Sequence, residues 1–197
     1  KMRYEYSALK IFAHDGAALK AAEILRGEIE SRTGKSPEIT DSDRADISFV
    51  ADPDGLRDGY EIEQNGKRLV FKAQGIRGLI FAAGMFLRKI EVSGEKITLI
   101  QDIGGRYEPD KRIRGHQLGY RTTPNSYDAW DIEDYRRYYL DLMFFGCNTV
   151  EHIPSNGLDA KKNRLMKYDP QDFLVEASRI AGEYDLDVSL WYPNDRE

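Results

Sequence analysis

Polar and aromatic side chains gather at the ends of three predicted strands in the second half of the chain. Aromatic rings offer apolar faces to the C–H side of a pyranose ring, and charged groups form strong hydrogen bonds with hydroxyls. The combination therefore suits a sugar. Two further candidates for binding it, Arg114 and His116, lie within the first of these strands. The candidates at or just beyond the strand ends are Tyr120, Arg121, Glu151, His152, Trp191 and Asp195.

Several of these candidates also have a structural interpretation. Trp191 could be a core residue that ends its strand, and His152 could be a buried structural histidine. Arg121 could pair with an aspartate near the start of the following helix. Arg114 could be a buried charge that is paired inside the sheet. The sequence leaves these alternatives open.

Glu151 and Asp195 are the carboxylates at the predicted strand ends. Glycoside hydrolysis needs two carboxyl groups, about 5–5.5 Å apart for retention or roughly 6.5–9.5 Å apart for inversion. Glu151 and Asp195 could form such a pair, but we expect them instead to orient a substrate or a neighbouring catalytic residue. With His152 they could also ligate a divalent metal, but adjacent residues on a strand point to opposite faces. We therefore predict no metal and no cofactor, and the catalytic residues stay unassigned.

The first half of the chain has an α+β pattern. Apolar residues recur at helical spacing over residues 17–33 and 75–90, and Gly34 ends the first of these helices. Asn65-Gly66 predicts a tight hairpin turn between two alternating strands. Short strands are predicted over residues 10–13, 46–50 and 97–100.

The second half changes to a strict alternation of strands and helices after the polar, glycine-rich residues 101–112. This alternation predicts a parallel sheet. A complete (β/α)₈ barrel takes roughly 250 residues, so three strands and two helices are about a third of one. A small open α/β sheet would fit the length better. Strands are predicted over residues 113–121, 148–153 and 186–191, and helices over 131–145 and 170–184.

Residues 58–90 carry a Gly-Tyr pair at a strand start and a G-x-x-(Y/F)-(G/A) pattern in the following helix. The residues at these positions are Gly59, Tyr60, Ile62, Gly78, Phe81 and Ala82. The order resembles the accessory domain that precedes the catalytic barrel in β-N-acetylhexosaminidases (glycoside hydrolase family 20) and in α-glucuronidases. The ending FLRK, residues 86–89, is nearer to the glucuronidase version.

A second motif joins an Arg-Gly pair, a strand and a helix of the form y-x-d-l-m-x-x-x-k-x-N. The matching residues are Arg114, Gly115, Tyr139, Asp141, Leu142, Met143 and Asn148. This order looks like the first barrel strand and helix of the hexosaminidases, and the resemblance implies that Arg114 binds substrate hydroxyls. In that family the catalytic acid pair lies on the fourth strand, which this sequence does not reach. The resemblance therefore implies catalytic acids outside this chain.

Together these patterns predict an α+β accessory domain over residues 1–104 and the incomplete start of a (β/α)₈ barrel over residues 105–197. The resemblance implies the N-terminal part of a glycoside hydrolase with a carbohydrate substrate, secreted or periplasmic. On its own the chain should not turn over glycosides. An unfinished sheet should also promote self-association. A non-catalytic glycan-binding or interaction module and a metal-dependent sugar isomerase remain the alternatives.

Composition excludes other classes. With 41% hydrophobic and 32% charged residues, the 197-residue chain is an ordinary globular protein. A net charge of −5 argues against a nucleic-acid partner, which would select a basic face. The longest apolar run, residues 78–87, is far shorter than the ~20 residues of a membrane-spanning helix. We therefore expect neither nucleic acid nor membrane as a partner.

Overall fold

The computed structural model describes residues 2–14, 16–42, 44–118, 126–152 and 169–190. The chain divides into two compact units, Lys1–Arg112 and Ile113–Glu197. Within the described ranges, no helix combines the length and the apolar character that are needed to cross a membrane.

The first unit contains two helices and two sheets. A six-stranded mixed sheet has the order β3-β2-β4-β6-β5-β9, and a three-stranded antiparallel sheet has the order β1-β8-β7. The helices are α1 (Gly16–Thr33) and α2 (Ile76–Leu87). The strands are β1 (Tyr4–Tyr6), β2 (Lys10–Phe12), β3 (Glu38–Thr40), β4 (Ile47–Ala51), β5 (Tyr60–Asn65), β6 (Arg68–Ala73), β7 (Ile90–Ser93), β8 (Lys96–Leu99) and β9 (Gly105–Tyr107).

The core of this unit lies between the two helices and one face of the larger sheet. Alternate residues of the central strands are buried, so Phe49 of β4 lies beside Phe71 of β6, and Ile62 of β5 lies opposite Phe71. The rings of Phe49 and Phe71 meet edge to face, with 5.1 Å between their centroids. Because neighbouring side chains of a strand point to opposite faces, burial of every second residue indicates a sheet that is covered on one side.

Helix α2 is shorter than predicted, because it ends at Leu87 and not at residue 90. Arg32 of α1 donates from its guanidinium Nη1 to the carbonyl of Leu87 at 3.1 Å, which satisfies one of the terminal carbonyls. Ile90 then pairs with Leu99 as the first residue of β7. The apolar Ile90 continued the helical pattern in the sequence, but its partner is a strand.

The end of the first unit also differs from the predicted boundary at residue 104. Residues Gly105–Tyr107 form β9, which pairs antiparallel with β5, so Tyr107 lies opposite Tyr60. The two tyrosine rings are stacked at 4.8 Å between centroids. The division between the units therefore follows Arg112.

The second unit has the predicted order of strand, helix, strand, helix, strand. The three strands among its described residues are parallel, in the order β10-β11-β12. β10 is shorter than the predicted strand over residues 113–121, of which 119–121 lie outside the described residues. The elements are β10 (Gly115–Gln117), a 3-10 helix (Ser126–Ala129), α3 (Ile132–Phe144), β11 (Thr149–His152), α4 (Pro170–Glu183) and β12 (Asp187–Leu190).

Candidate functional site

The two faces of the parallel sheet differ in polarity. On β11, Val150 and His152 are buried on the side of α3, whereas Thr149 and Glu151 are half-buried on the other side. The parallel register carries the same division onto β10 and β12. We call the side away from α3 the polar sheet face. It consists of Gly115, Gln117, Thr149, Glu151, Asp187 and Ser189.

A hydrogen bond across two strands organises the polar sheet face. Gln117 and Glu151 lie opposite each other in the register, and Ser189 lies opposite Glu151 on the next strand. The Gln117 amide Nε2 donates to the Glu151 carboxylate oxygen Oε2. Because parallel strands end at one edge, this pair lies near the C-terminal edge of the sheet. Sequence reasoning proposed Glu151 but missed Gln117, although Gln117 stands two residues after Gly115 and so shares its face.

His152 lies on the opposite side of β11 from Glu151. Its Nε2 is 3.0 Å from the hydroxyl of Tyr139 on α3, and the side chain is buried. Burial lowers the pKa of His152 to about 4, because it disfavours the imidazolium form. Burial likewise raises the pKa of Tyr139. This is the environment of a structural histidine, the alternative that the sequence left open.

His116 also lies on the helix side, opposite Val150 in the register. Its Nδ1 is 2.5 Å from the hydroxyl of Tyr138, and the two rings meet edge to face at 5.7 Å. Tyr138 in turn contacts Trp130, with 5.6 Å between the ring centroids. The structure thus places His116 in an aromatic cluster beside α3 and away from the polar sheet face.

Arg114 lies at the N-terminal edge of the sheet, just before β10. Its backbone N–H donates to the Oδ1 of Asn148 at 2.9 Å, and its guanidinium Nε donates to the carbonyl of Gly146 at 2.8 Å. The N–H of buried Asn148 donates back to the Arg114 carbonyl at 2.9 Å, and the N–H of Asp187 donates to the Asn148 carbonyl at 2.9 Å. Asn148 therefore joins all three strands at this edge. A role of Arg114 in sugar binding stays a prediction.

Helix α3 fixes the helix side of the sheet. It begins at a capping box, in which Asp131 Oδ1 accepts from the N–H of Asp134 at 3.1 Å and Asp134 Oδ2 accepts from the N–H of Asp131 at 2.9 Å. Tyr135, Tyr139 and Met143 follow at intervals of one turn and are buried. This spacing places Tyr139 against His152. The pattern of apolar residues on α3 therefore determines which side of β11 the helix covers.

The remaining candidates, Tyr120, Arg121, Trp191 and Asp195, lie outside the described residues. Within the described residues, no three His, Cys, Asp or Glu side chains lie close enough together to hold a metal ion. Glu151 and His152, which were considered as joint metal ligands, face opposite sides of β11. The described part of the candidate site is therefore the Gln117–Glu151 pair and its neighbours on the polar sheet face.

No protein-family model matches the sequence. No curated protein matches it either. Solved structures match over nearly the whole chain. One is a GH20 exo-β-N-acetylglucosaminidase from Vibrio harveyi in complex with N-acetylglucosamine, with a TM-score of 0.70, 12% identity, and coverage of 96% of this chain and 34% of that chain.

Two other solved structures match the same share of this chain as the first. The N-acetyl-β-hexosaminidase of Streptomyces plicatus has a TM-score of 0.69, 15% identity, and coverage of 96% of this chain and 42% of that chain. The GH20 chitobiase of Flavobacterium johnsoniae has a TM-score of 0.62, 11% identity, and coverage of 96% of this chain and 32% of that chain. The chain thus spans about a third to two fifths of the length of these proteins. The predicted resemblance is confirmed at the level of the fold: this chain has a hexosaminidase-like fold that matches part of the GH20 glycoside hydrolases.

Proposed function

We propose that this chain is the N-terminal part of a carbohydrate-active glycoside hydrolase. In this proposal the first unit is the accessory domain, and the second unit supplies the first strands and helices of a (β/α)₈ barrel. The fold match over 96% of the chain supports the proposal. The parallel order β10-β11-β12, with α3 and α4 between the strands, has the connectivity that such a barrel requires.

The observation that carries the proposal is the polar sheet face. In a barrel the helices cover the outer side of the sheet, so the opposite side lines the interior. Here that side carries Gln117, Thr149, Glu151 and Ser189 in place of the branched apolar residues that fill a merely structural interior. Such a polar lining near the C-terminal strand ends fits hydroxyl recognition. In this proposal Tyr120, Arg121, Trp191 and Asp195, which follow the described parts of β10 and β12 in the sequence, extend the same site.

The expected substrate is a glycoside of an N-acetylhexosamine. The Vibrio harveyi neighbour was solved with N-acetylglucosamine, and we carry that ligand over as the first substrate to test. The second unit provides binding groups in this proposal. The catalytic acid pair comes from strands beyond the three that this chain contributes.

An aryl-glycoside assay tests the proposed function. The full-length protein that contains this chain should release 4-nitrophenol from the N-acetyl-β-glucosaminide, whereas residues 1–197 alone should not. Glu151→Gln should lower kcat/KM by about tenfold or more, because a charged hydrogen bond to the substrate is lost. Glu91→Gln, at an exposed ion pair with Arg3 in the first unit, is the matched control and should retain activity.

Two results would contradict this proposal. Turnover by residues 1–197 alone would show that the catalytic acids already lie within them. Sugar binding by the full-length protein without any hydrolysis would instead support the alternative of a glycan-binding module.

A further inference from the structure

We propose that Gln117 and Glu151 form a subsite that accepts hydroxyls of a neutral sugar and discriminates against uronic acids. This inference rests on the proposed function and names the substrate class of the same site.

The geometry of the pair leaves several hydrogen-bonding groups for a ligand. The Gln117 amide uses one N–H to hold one oxygen of the Glu151 carboxylate. Within the described part of the chain, neither side chain has a further hydrogen bond or ion pair. The second carboxylate oxygen, the Gln117 side-chain carbonyl and the other amide N–H therefore have no partner among the described residues, and in this proposal they bind the ligand. Two acceptors and a donor on neighbouring strands complement adjacent hydroxyls, each of which both donates and accepts.

The charge of the pair favours a neutral ligand. Glu151 has an amide as its partner, which orients the carboxylate without cancelling its charge. Among the described residues of the polar sheet face, the ionisable side chains are the acids Glu151 and Asp187. A uronate carboxylate at this face would meet a like charge, whereas a hydroxyl would donate to the carboxylate. Gln117 acts in this proposal as a positioning residue, since it fixes the orientation of Glu151.

Binding of two methyl glycosides to the full-length protein tests the inference. The probes are the methyl β-glycosides of N-acetylglucosamine and of glucuronic acid, and their Kd values are measured by calorimetry at pH 7. Wild type should prefer the neutral glycoside. Glu151→Gln keeps the size of the side chain and removes its charge. The ratio of the Kd for the glucuronide to the Kd for the neutral glycoside should therefore fall by about tenfold.

A second variant separates orientation from charge. Gln117→Met keeps the length of the side chain but cannot hold the carboxylate. This variant should raise the Kd of the neutral glycoside by about tenfold, and it should not lower the Kd of the glucuronide. Asp141→Asn removes one negative charge from the exposed ion pair with Arg137 on α3, and it should leave both Kd values unchanged.

The outcomes distinguish the two proposals. If wild type binds the neutral glycoside but neither Glu151→Gln nor Gln117→Met alters the ratio of the two Kd values, the subsite is wrong while the proposed function stands. If wild type prefers the glucuronide, the subsite is again overturned. If the full-length protein neither binds nor hydrolyses either glycoside, the proposed function fails, and the subsite fails with it.

Discussion

Glu151 and His152 are sequence neighbours on β11, but they lie in opposite environments. Glu151 is half-buried on the polar sheet face and bound to Gln117, whereas His152 is buried beside Tyr139. The pKa of the imidazole is lowered to about 4 by this burial, so the ring is neutral at pH 7. The imidazole therefore contributes to packing in its uncharged form.

The lowered pKa of His152 predicts a loss of stability in mild acid. In the unfolded chain the imidazole takes up a proton near pH 6.5, but in the folded chain only near pH 4. The unfolded state thus binds more protons in this window, and the free energy of unfolding falls as the pH is lowered from about 6.5 to about 4, by up to about 3 kcal/mol. Urea denaturation at several pH values measures this fall.

His152→Gln should reduce this pH dependence, because the amide can still bond to Tyr139 but does not titrate in this window. His14→Gln changes an exposed histidine of the first unit and serves as the matched control. An identical acid dependence in wild type and His152→Gln would contradict the assignment of His152 as a buried neutral group.

At the scale of elements, two glycines allow close packing beside the large sheet: Gly78 of α2 lies against Gly59 and Ala73, and Gly59 lies against Tyr107 of β9. A Cβ added to Gly78 would lie 2.4 Å from the carbonyl oxygen of Gly59 and 2.5 Å from the Cβ of Ala73. A Cβ added to Gly59 would lie 2.5 Å from the carbonyl oxygen of Tyr107. These contacts give a physical reason for the glycines of the two sequence motifs. At Gly78 the backbone of α2 thus lies directly against Gly59 and Ala73, with no room for an added side chain.

We expect Gly78→Ala to destabilise the first unit by about 1–3 kcal/mol, because the added methyl group overpacks this contact. Gly27 is the matched control, since it lies in α1 with nothing within 4 Å of an added Cβ. Gly27→Ala should instead stabilise the helix by about 0.5–1 kcal/mol. Chemical denaturation measures both changes. A Gly78→Ala protein as stable as wild type would show that the close contact of α2 with the sheet is not tight.

The sequence predicted the long elements well, and it missed the short ones for a physical reason. Helix α1 has five turns of apolar periodicity, so its pattern is visible without a partner. Strands β1, β3 and β9 have three residues each, too few to show a period, and the equally short β2 was predicted only because it belongs to an apolar run. β1 exists because it pairs with β8, and β9 because it pairs with β5. Such pairings are tertiary facts that a local pattern does not contain.

The candidate site was predictable to a similar extent. Alternation along β11 indicated that Glu151 and His152 face opposite sides, but not which of them meets the helices. That choice depends on Tyr139, thirteen residues before His152 in the chain. Gln117 was not predicted because an uncharged amide within a strand has neither the charge nor the aromatic ring that marks a candidate site. Its importance becomes visible only when the register places it opposite Glu151.

At the scale of the whole molecule, the first unit has the properties of an independent domain. Its core includes Ile11, Leu25, Phe49, Phe71 and Phe86, all essentially inaccessible to solvent. Its buried charge is paired as well, since the guanidinium Nη1 of Arg77 is 2.8 Å from a carboxylate oxygen of Asp58. Among the described residues, no buried side-chain nitrogen or oxygen lacks a hydrogen-bond partner. About a hundred residues are enough to support such a core.

Residues 1–112 should therefore fold when they are expressed alone. The expected result is a single cooperative transition in urea, with well-dispersed amide signals in a two-dimensional NMR spectrum. A protein that ends at residue 104 is the informative comparison, because it lacks β9 and exposes the edge of β5. The shorter protein should have a lower free energy of unfolding than residues 1–112. If residues 1–112 show no cooperative transition, the division at Arg112 does not mark an independent folding unit.

The hydrogen bonds that join Asn148 to Arg114 and Asp187 fix where β11 begins relative to β10 and β12. The chain before Asn148 can change in length without altering which side chains of β11 lie on the polar sheet face, because the asparagine re-establishes the starting point. One residue inserted after it would rotate every following side chain to the other side. Glu151 would then lie under Tyr139 in place of His152, and Val150 would take the position of Glu151 on the polar sheet face. The turn before Asn148 should therefore tolerate changes in sequence and length, whereas the four residues of β11 after it must remain four in number.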